Sequence, residues 1–140
     1  MALTLDQANR IIAAALARSR ELGLKPMGVV VLDDAGHLKS AQREDGATMV
    51  RIDVATGKAW GAVAMGVASR VLFQRAKENP NFFTTLADTA HGKFLPQTGA
   101  VLIKDASGVV LGAAGASGGS GDEDEAICIH GIESVGLAHG

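Results

Sequence analysis

Chemistry-bearing residues are densest between Gly108 and Glu125, in the run Gly108-Val-Val-Leu-Gly-Ala-Ala-Gly-Ala-Ser-Gly-Gly-Ser-Gly-Asp-Glu-Asp-Glu125. Ser117 opens a turn in which Gly118, Gly119 and Gly121 let the backbone approach a ligand closely. Amide N–H groups there, with those of a following helix, can cradle an anion or a polar ligand edge. The four acids Asp122 to Glu125 suit the positive end of a helix dipole equally well without any ligand. Successive helical residues diverge by about 100°, so these acids cannot converge on one ion, and no metal site is expected. Asp124 and Glu125 fall nearest the turn. A carboxylate half-buried there would serve as an acid, a base or a hydrogen-bond acceptor.

Two cations could complement such a site. Lys58 stands among small residues on a helical stretch, where lysine ordinarily carries its ammonium out to water and otherwise anchors a carboxylate. Arg43, at a strand end beside Glu44-Asp45-Gly46-Ala47, offers the same two roles. Of the four histidines, no pair has the spacing of a metal site. His91, in a loop near the phenylalanines, is the candidate for an axial ligand, against the plainer reading of a surface residue. No Ser-His-Asp triad assembles, and Cys128 on an apolar helix face reads as inert packing.

The elements that must position these groups follow from periodicity. Thr4 and Gln7 form a capping box ahead of a helix with Leu5, Ala8, Ile12, Ala15, Leu16, Ser19 and Leu22 on one face. Gly23 and Pro26 end it. Met27 to Asp33 reads as a strand buried on both faces, turned at Asp34-Ala35-Gly36 into a more polar strand from His37 to Arg43. A second helix, capped by Thr48, runs from Met49 to about Val67, and its Gly57 and Gly61 predict a close neighbour. Short helices follow over Arg70–Lys77 and Pro80–Asp88. Phe73, Phe82, Phe83 and Phe94 make either a satellite core or the wall of a pocket or interface. Strands over 98–105 and 109–116 form a second hairpin. The last helix, from Asp122 to about Leu137, carries Cys128, Ile129, Ile132 and Val135 on its apolar side, and His139 lies in a frayed tail.

A length of 140 residues fits one domain, 1–140, with a core of small aliphatic side chains, since 47% of residues are hydrophobic and only 4% aromatic. A net charge of −2 with scattered basic residues gives no footprint for nucleic acid or an anionic membrane surface. One cysteine permits no intrachain disulfide, and no secretory leader or membrane span is read from the chain. The cytoplasm is the expected location.

Four separated blocks, Val29–Leu38, Arg43–Ala47, Val54–Ala59 and Leu111–Gly119 followed by Asp124-Glu125, together resemble the GlcG/HbpS family. This small domain also occurs at the C-terminus of the PduO adenosyltransferase. The resemblance covers the whole chain and implies an α+β, profilin-like fold, an antiparallel sheet flanked by helices in the order α-ββ-α-α-ββ-α, and a homo-oligomer. It further implies binding of haem or a related tetrapyrrole, as an accessory to a catabolic pathway. Some relatives bind iron through a histidine of the first helix, where this chain has Ala13-Ala-Ala-Leu-Ala-Arg-Ser19. His91 is then the substitute ligand, or the iron has none from the protein, with the propionates near Lys58, Arg43 or the Gly118–Gly121 amides. Two other readings stand beside it. One is a cofactor-free isomerase, hydratase or hydrolase for a carboxylated metabolite, with Asp124 or Glu125 as acid/base. The other is a structural oligomerisation module.

Overall fold

The computed structural model describes all residues from Met1 to Gly140. In chain order it contains α1 (Leu5–Glu21), β1 (Gly28–Asp33), β2 (Leu38–Arg43), α2 (Val50–Met65), α3 (Ser69–Glu78), α4 (Pro80–Thr89), β3 (Ala100–Lys104), β4 (Val110–Ser117), α5 (Gly121–Ser134) and β5 (Ala138–His139). The strands form one antiparallel sheet in the order β2-β1-β4-β3-β5. This is the α+β arrangement expected, with both hairpins in place.

The alternation of side chains along a strand explains the continuous apolar run of β1. Val29 and Val31 face α1 and α5, together with Val101, Ile103, Ala114 and Ala116. Val30 and Leu32 face α2, with Ala100, Leu102 and Ala113. Helices therefore cover both faces, in three layers. The α2 layer is thin because its contact residues are alanine and glycine. A Cβ on Gly115 of β4 would stand 2.5 Å from the Ala55 carbonyl oxygen, so the helix lies almost on the strand backbone. Beyond α2, Leu72, Phe83, Ala90 and Phe94 form a satellite core, while Phe82 is exposed and Phe73 is half-buried. Phe83 and Phe94 thus take the satellite-core role. Gly57 and Gly61 do admit close neighbours, Leu95 and Phe94.

Both hairpins turn in the same way. Asp33 Oδ1 accepts the Ala35 and His37 N–H groups at 3.0 and 2.9 Å, and Asp105 Oδ1 accepts those of Ser107 and Val109 at 2.9 and 3.0 Å. Gly36 and Gly108 supply the left-handed residue, at φ 83° and 88°. The Thr4–Gln7 capping box forms as expected.

Several boundaries differ. Helix α2 starts one residue late and without a side-chain cap, because Thr48 Oγ1 accepts Arg51 Nε–H at 3.2 Å instead. On α1 the end residues Leu5 and Leu22 are exposed and Ile11 is buried. The buried stripe of α5 is Asp124, Ile127, Cys128, Gly131 and Ile132, one residue round from the expected face. Its cause is the crossing with α1, where a Cβ on Gly131 would meet the Ile11 carbonyl oxygen at 2.3 Å. The tail is held: Leu102 and Gly140 exchange backbone hydrogen bonds of 2.8 and 3.2 Å, and His139 pairs with Ile103. No helix is long and apolar enough to cross a membrane.

Candidate functional site

Lys58 departs most from its ordinary behaviour. Its side chain is almost wholly withdrawn from water; the residue is 5% exposed, and its Nζ lies at the Ala116 end of β4. Nζ donates to the Ala116 carbonyl oxygen at 3.0 Å and to Asp124 Oδ2 at 3.0 Å. Gly99 stands beside it at φ 140°, a conformation that favours glycine, and a Cβ there would lie 2.6 Å from Nζ and 3.1 Å from the Ala116 carbonyl oxygen. Asp124, in the first turn of α5, is 1% exposed, and its Oδ1 accepts the Gly119 N–H at 2.9 Å. Burial pushes the Asp124 carboxyl above the usual carboxylate range, against the downward pull of the Lys58 ammonium and the Gly119 N–H. An ion pair taken this far from water is retained only with good geometry and satisfied hydrogen bonds, and both are present.

The start of α5 is fixed by a second capping box. Ser120 Oγ accepts the Glu123 N–H at 3.2 Å, and Glu123 Oε1 accepts the Ser120 N–H at 2.9 Å. Two glycine-turn amides, Gly119 and Ser120, are therefore taken by the helix's own acids. The acid run thus serves the turn and the helix start. Glu125 does not line the site; with Asp122 it holds Arg70 of α3, Arg70 Nη2 lying 3.1 Å from Glu125 Oε1. These two carboxylates hold the Arg70 guanidinium firmly protonated.

Above the Lys58–Asp124 pair lies a cleft of about 730 Å³, bounded by α2, α3 and the glycine turn. It gathers Lys58, Ser117, Gly119, Gly121 and Asp124 from among the candidates, with Arg51 added. Arg51 Nη1 donates to Ser117 Oγ at 2.9 Å. Sequence reasoning passed over Arg51, although it precedes Lys58 by seven residues, two helical turns, and so shares its face. The same holds for the Ser120–Glu123 box, whose Ser-x-x-Glu spacing is a helix-start signal.

The other candidates lie elsewhere. Arg43 Nη1 donates to the Ala47 carbonyl oxygen at 2.6 Å and ties down the loop after β2. Gly118 borders a smaller hollow with Gly23, Leu24 and Lys25. His91 is exposed at the end of α4, with a left-handed φ of 56°, and faces neither large cleft. Cys128 is fully buried, and desolvation holds its thiol well above the ordinary range, in keeping with inert packing.

A second cleft, of about 650 Å³, lies on the adjoining face of α2. The first hairpin turn supplies Gly36 and His37, α2 supplies Gly57 and Trp60, and the segment after α4 supplies Lys93 and Leu95. The His37 side chain is 81% exposed, with Nδ1 3.9 Å from Asp33 Oδ2. Nowhere in the chain do three or more His, Cys, Asp or Glu side chains converge as a metal cluster.

An antiparallel sheet covered by helices on both faces, with polar groups gathered in a cleft at the glycine turn, defines a small α+β domain. The chain belongs to the HbpS-like family: the model for haem-degrading HbpS-like proteins matches residues 3–133. Corrinoid adenosyltransferase PduO of Citrobacter freundii is 28% identical over 137 residues, which are 98% of this chain and 40% of PduO. This chain therefore spans about two fifths of that relative's length. Among solved structures, PduOC in complex with haem superposes with a TM-score of 0.87 at 27% identity, covering 99% of this chain and 98% of that one. A double mutant of HbpS from Streptomyces reticuli superposes with a TM-score of 0.84 at 29% identity, covering 96% and 88%.

Proposed function

We propose that the protein is a small-ligand-binding domain that takes haem or a related tetrapyrrole, and that it does so in the cleft between the first hairpin turn and α2. Kinship with the PduOC–haem complex supports the ligand class. The donor sets of the two clefts support the position. The cleft at the glycine turn has only two hydrophobic residues in its lining and no His, Cys, Met or Tyr, so it offers neither an iron ligand nor an apolar bed for a macrocycle. The other cleft offers the His37 imidazole, the Trp60 indole, Leu95, and open backbone at Gly36 and Gly92. Lys93 at its rim can meet a propionate.

The single observation that carries this reading is that His37 alone, among four histidines, lines either large cleft. His37 would replace both a first-helix histidine and His91 as iron ligand, with the Asp33 carboxylate steadying its Nδ1 side. Bound haem would supply a redox-active iron; the chain's own part is to bind and orient it. Two observations favour binding over a cofactor-free enzyme. Both oxygens of Asp124 are engaged, and Glu125 is held by Arg70. Well-formed clefts also disfavour a purely structural module. Assembly as a homo-oligomer belongs to the same proposal and is checked by light scattering. In the deciding experiment haemin is titrated into wild type, His37→Ala and His91→Ala and followed by absorption. A saturable Soret shift lost only in His37→Ala is expected. An equal response in all three proteins would sink the assignment.

A further inference from the structure

The cleft at the glycine turn remains, and it is built for something other than a macrocycle. An ammonium carries three protons. Lys58 spends two, on Ala116 and Asp124, while still lining the cleft. Ser117 Oγ accepts from Arg51 and keeps its own hydroxyl proton to donate. Arg51 and Lys58 meet at adjacent residues of β4, since one bonds the Ser117 hydroxyl and the other the Ala116 carbonyl. Donors on Arg51, Ser117 and Lys58 therefore converge on one wall.

The local charge has the opposite sign to the chain. The whole protein carries −2, yet this cleft is lined by four cations and two carboxylates. Asp122 is spent on Arg70 and Asp124 on Lys58, which leaves Arg51 and Lys77 without a carboxylate partner in the cleft. Lys77 sits 4.4 Å from the Phe73 ring centroid, at the rim.

We infer that this cleft binds a small organic acid, whose carboxylate sits against Arg51, Ser117 and Lys58, with its carbon skeleton towards Phe73 and Val54. A carboxylate fits better than a phosphate for two reasons. The Gly119 and Ser120 amides, which would cradle phosphate oxygens, are taken by Asp124 and Glu123. The buried Asp124 charge beneath the wall also penalises a dianion more than a monoanionic head. This inference stands independently of the haem reading, because the two clefts share no lining residue.

The test titrates glycolate, succinate and, separately, inorganic phosphate into ¹⁵N-labelled protein. Saturable shifts at the Ser117, Gly119 and Thr98 amides are expected with at least one carboxylate, and weaker ones with phosphate. Arg51→Gln, at a half-buried position outside the Lys58–Asp124 pair, should fold normally and bind about tenfold more weakly. Its haemin response should match wild type. Absence of saturable shifts with either carboxylate, phosphate binding as tightly, or unchanged carboxylate binding in Arg51→Gln would each overturn the inference. Loss of the haemin response in Arg51→Gln would place propionates here and overturn it as well.

Discussion

At the scale of single residues, the Lys58–Asp124 pair matters most, because its two members depend on each other. Lys58→Met leaves a buried carboxylate with only the Gly119 N–H for company, and such a broken pair costs about 3–5 kcal/mol. Lys58→Met with Asp124→Leu removes both charges and should return to within about 1 kcal/mol of wild type. Urea denaturation of the three proteins measures this coupling directly. The pH dependence of the single variant has a definite sign. Burial already raises Asp124 above its unfolded value of 3.8, and loss of Lys58 raises it further. Stability relative to wild type is then best below about pH 4 and falls as pH rises through the folded value. A deficit independent of pH would show that Asp124 is not what Lys58 balances.

Little of this pair was legible in the sequence. Lys58 and Asp124 are 66 residues apart, as are Arg51 and Ser117, and no local pattern joins them. Glycine and alanine around Lys58 announced close packing, yet the usual habit of lysine argued for solvent. What reverses that habit is the pair of acceptors at Nζ, the Ala116 carbonyl and the Asp124 carboxylate, which the folded sheet and α5 supply and helix periodicity does not. Residues carried by one segment are brought together by that segment alone. Ser117, Gly119, Gly121 and Asp124 do meet at one place.

At the scale of elements, period-two and period-three-to-four patterns gave every strand and helix but β5 its place, while ends and faces shifted by a few residues. The shift on α5 shows why: Gly131 counts as neutral on a hydropathy wheel but permits the closest approach to α1. The β4–α2 contact makes a comparable prediction. Gly115→Val must push its side chain against the Ala55 carbonyl, so it should cost about 1–3 kcal/mol or more, visible as a lower Tm. The two hairpin turns add an acid-side prediction. Backbone N–H bonds, chiefly from His37, hold Asp33 below its ordinary 3.8, and Ser107 with the Val109 N–H does the same for Asp105. Their contribution is present above about pH 4 and lost as pH falls through the folded values. Asp33→Asn should therefore flatten part of the acid limb of the stability curve, whereas an unchanged limb would deny the turn that role.

At the scale of the whole molecule, α2 separates the two clefts. Arg51 and Lys58 look into one, Gly57 and Trp60 into the other, from adjoining stripes of the same helix. The helix rests almost on the β4 backbone at Gly115, and Leu95 and Phe94 press on its far side at Gly57 and Gly61. So confined, it has little room to shift, and a ligand on one stripe should leave the other unchanged. Coupling between sites is reciprocal, so one titration measures it in both directions. Haemin is titrated with and without saturating succinate, and the two midpoints should agree within about twofold. A larger displacement equal in both directions would mean that α2 moves as a two-state element. Full competition would mean instead that both ligands seek the same cations, leaving a single anionic site at the glycine turn.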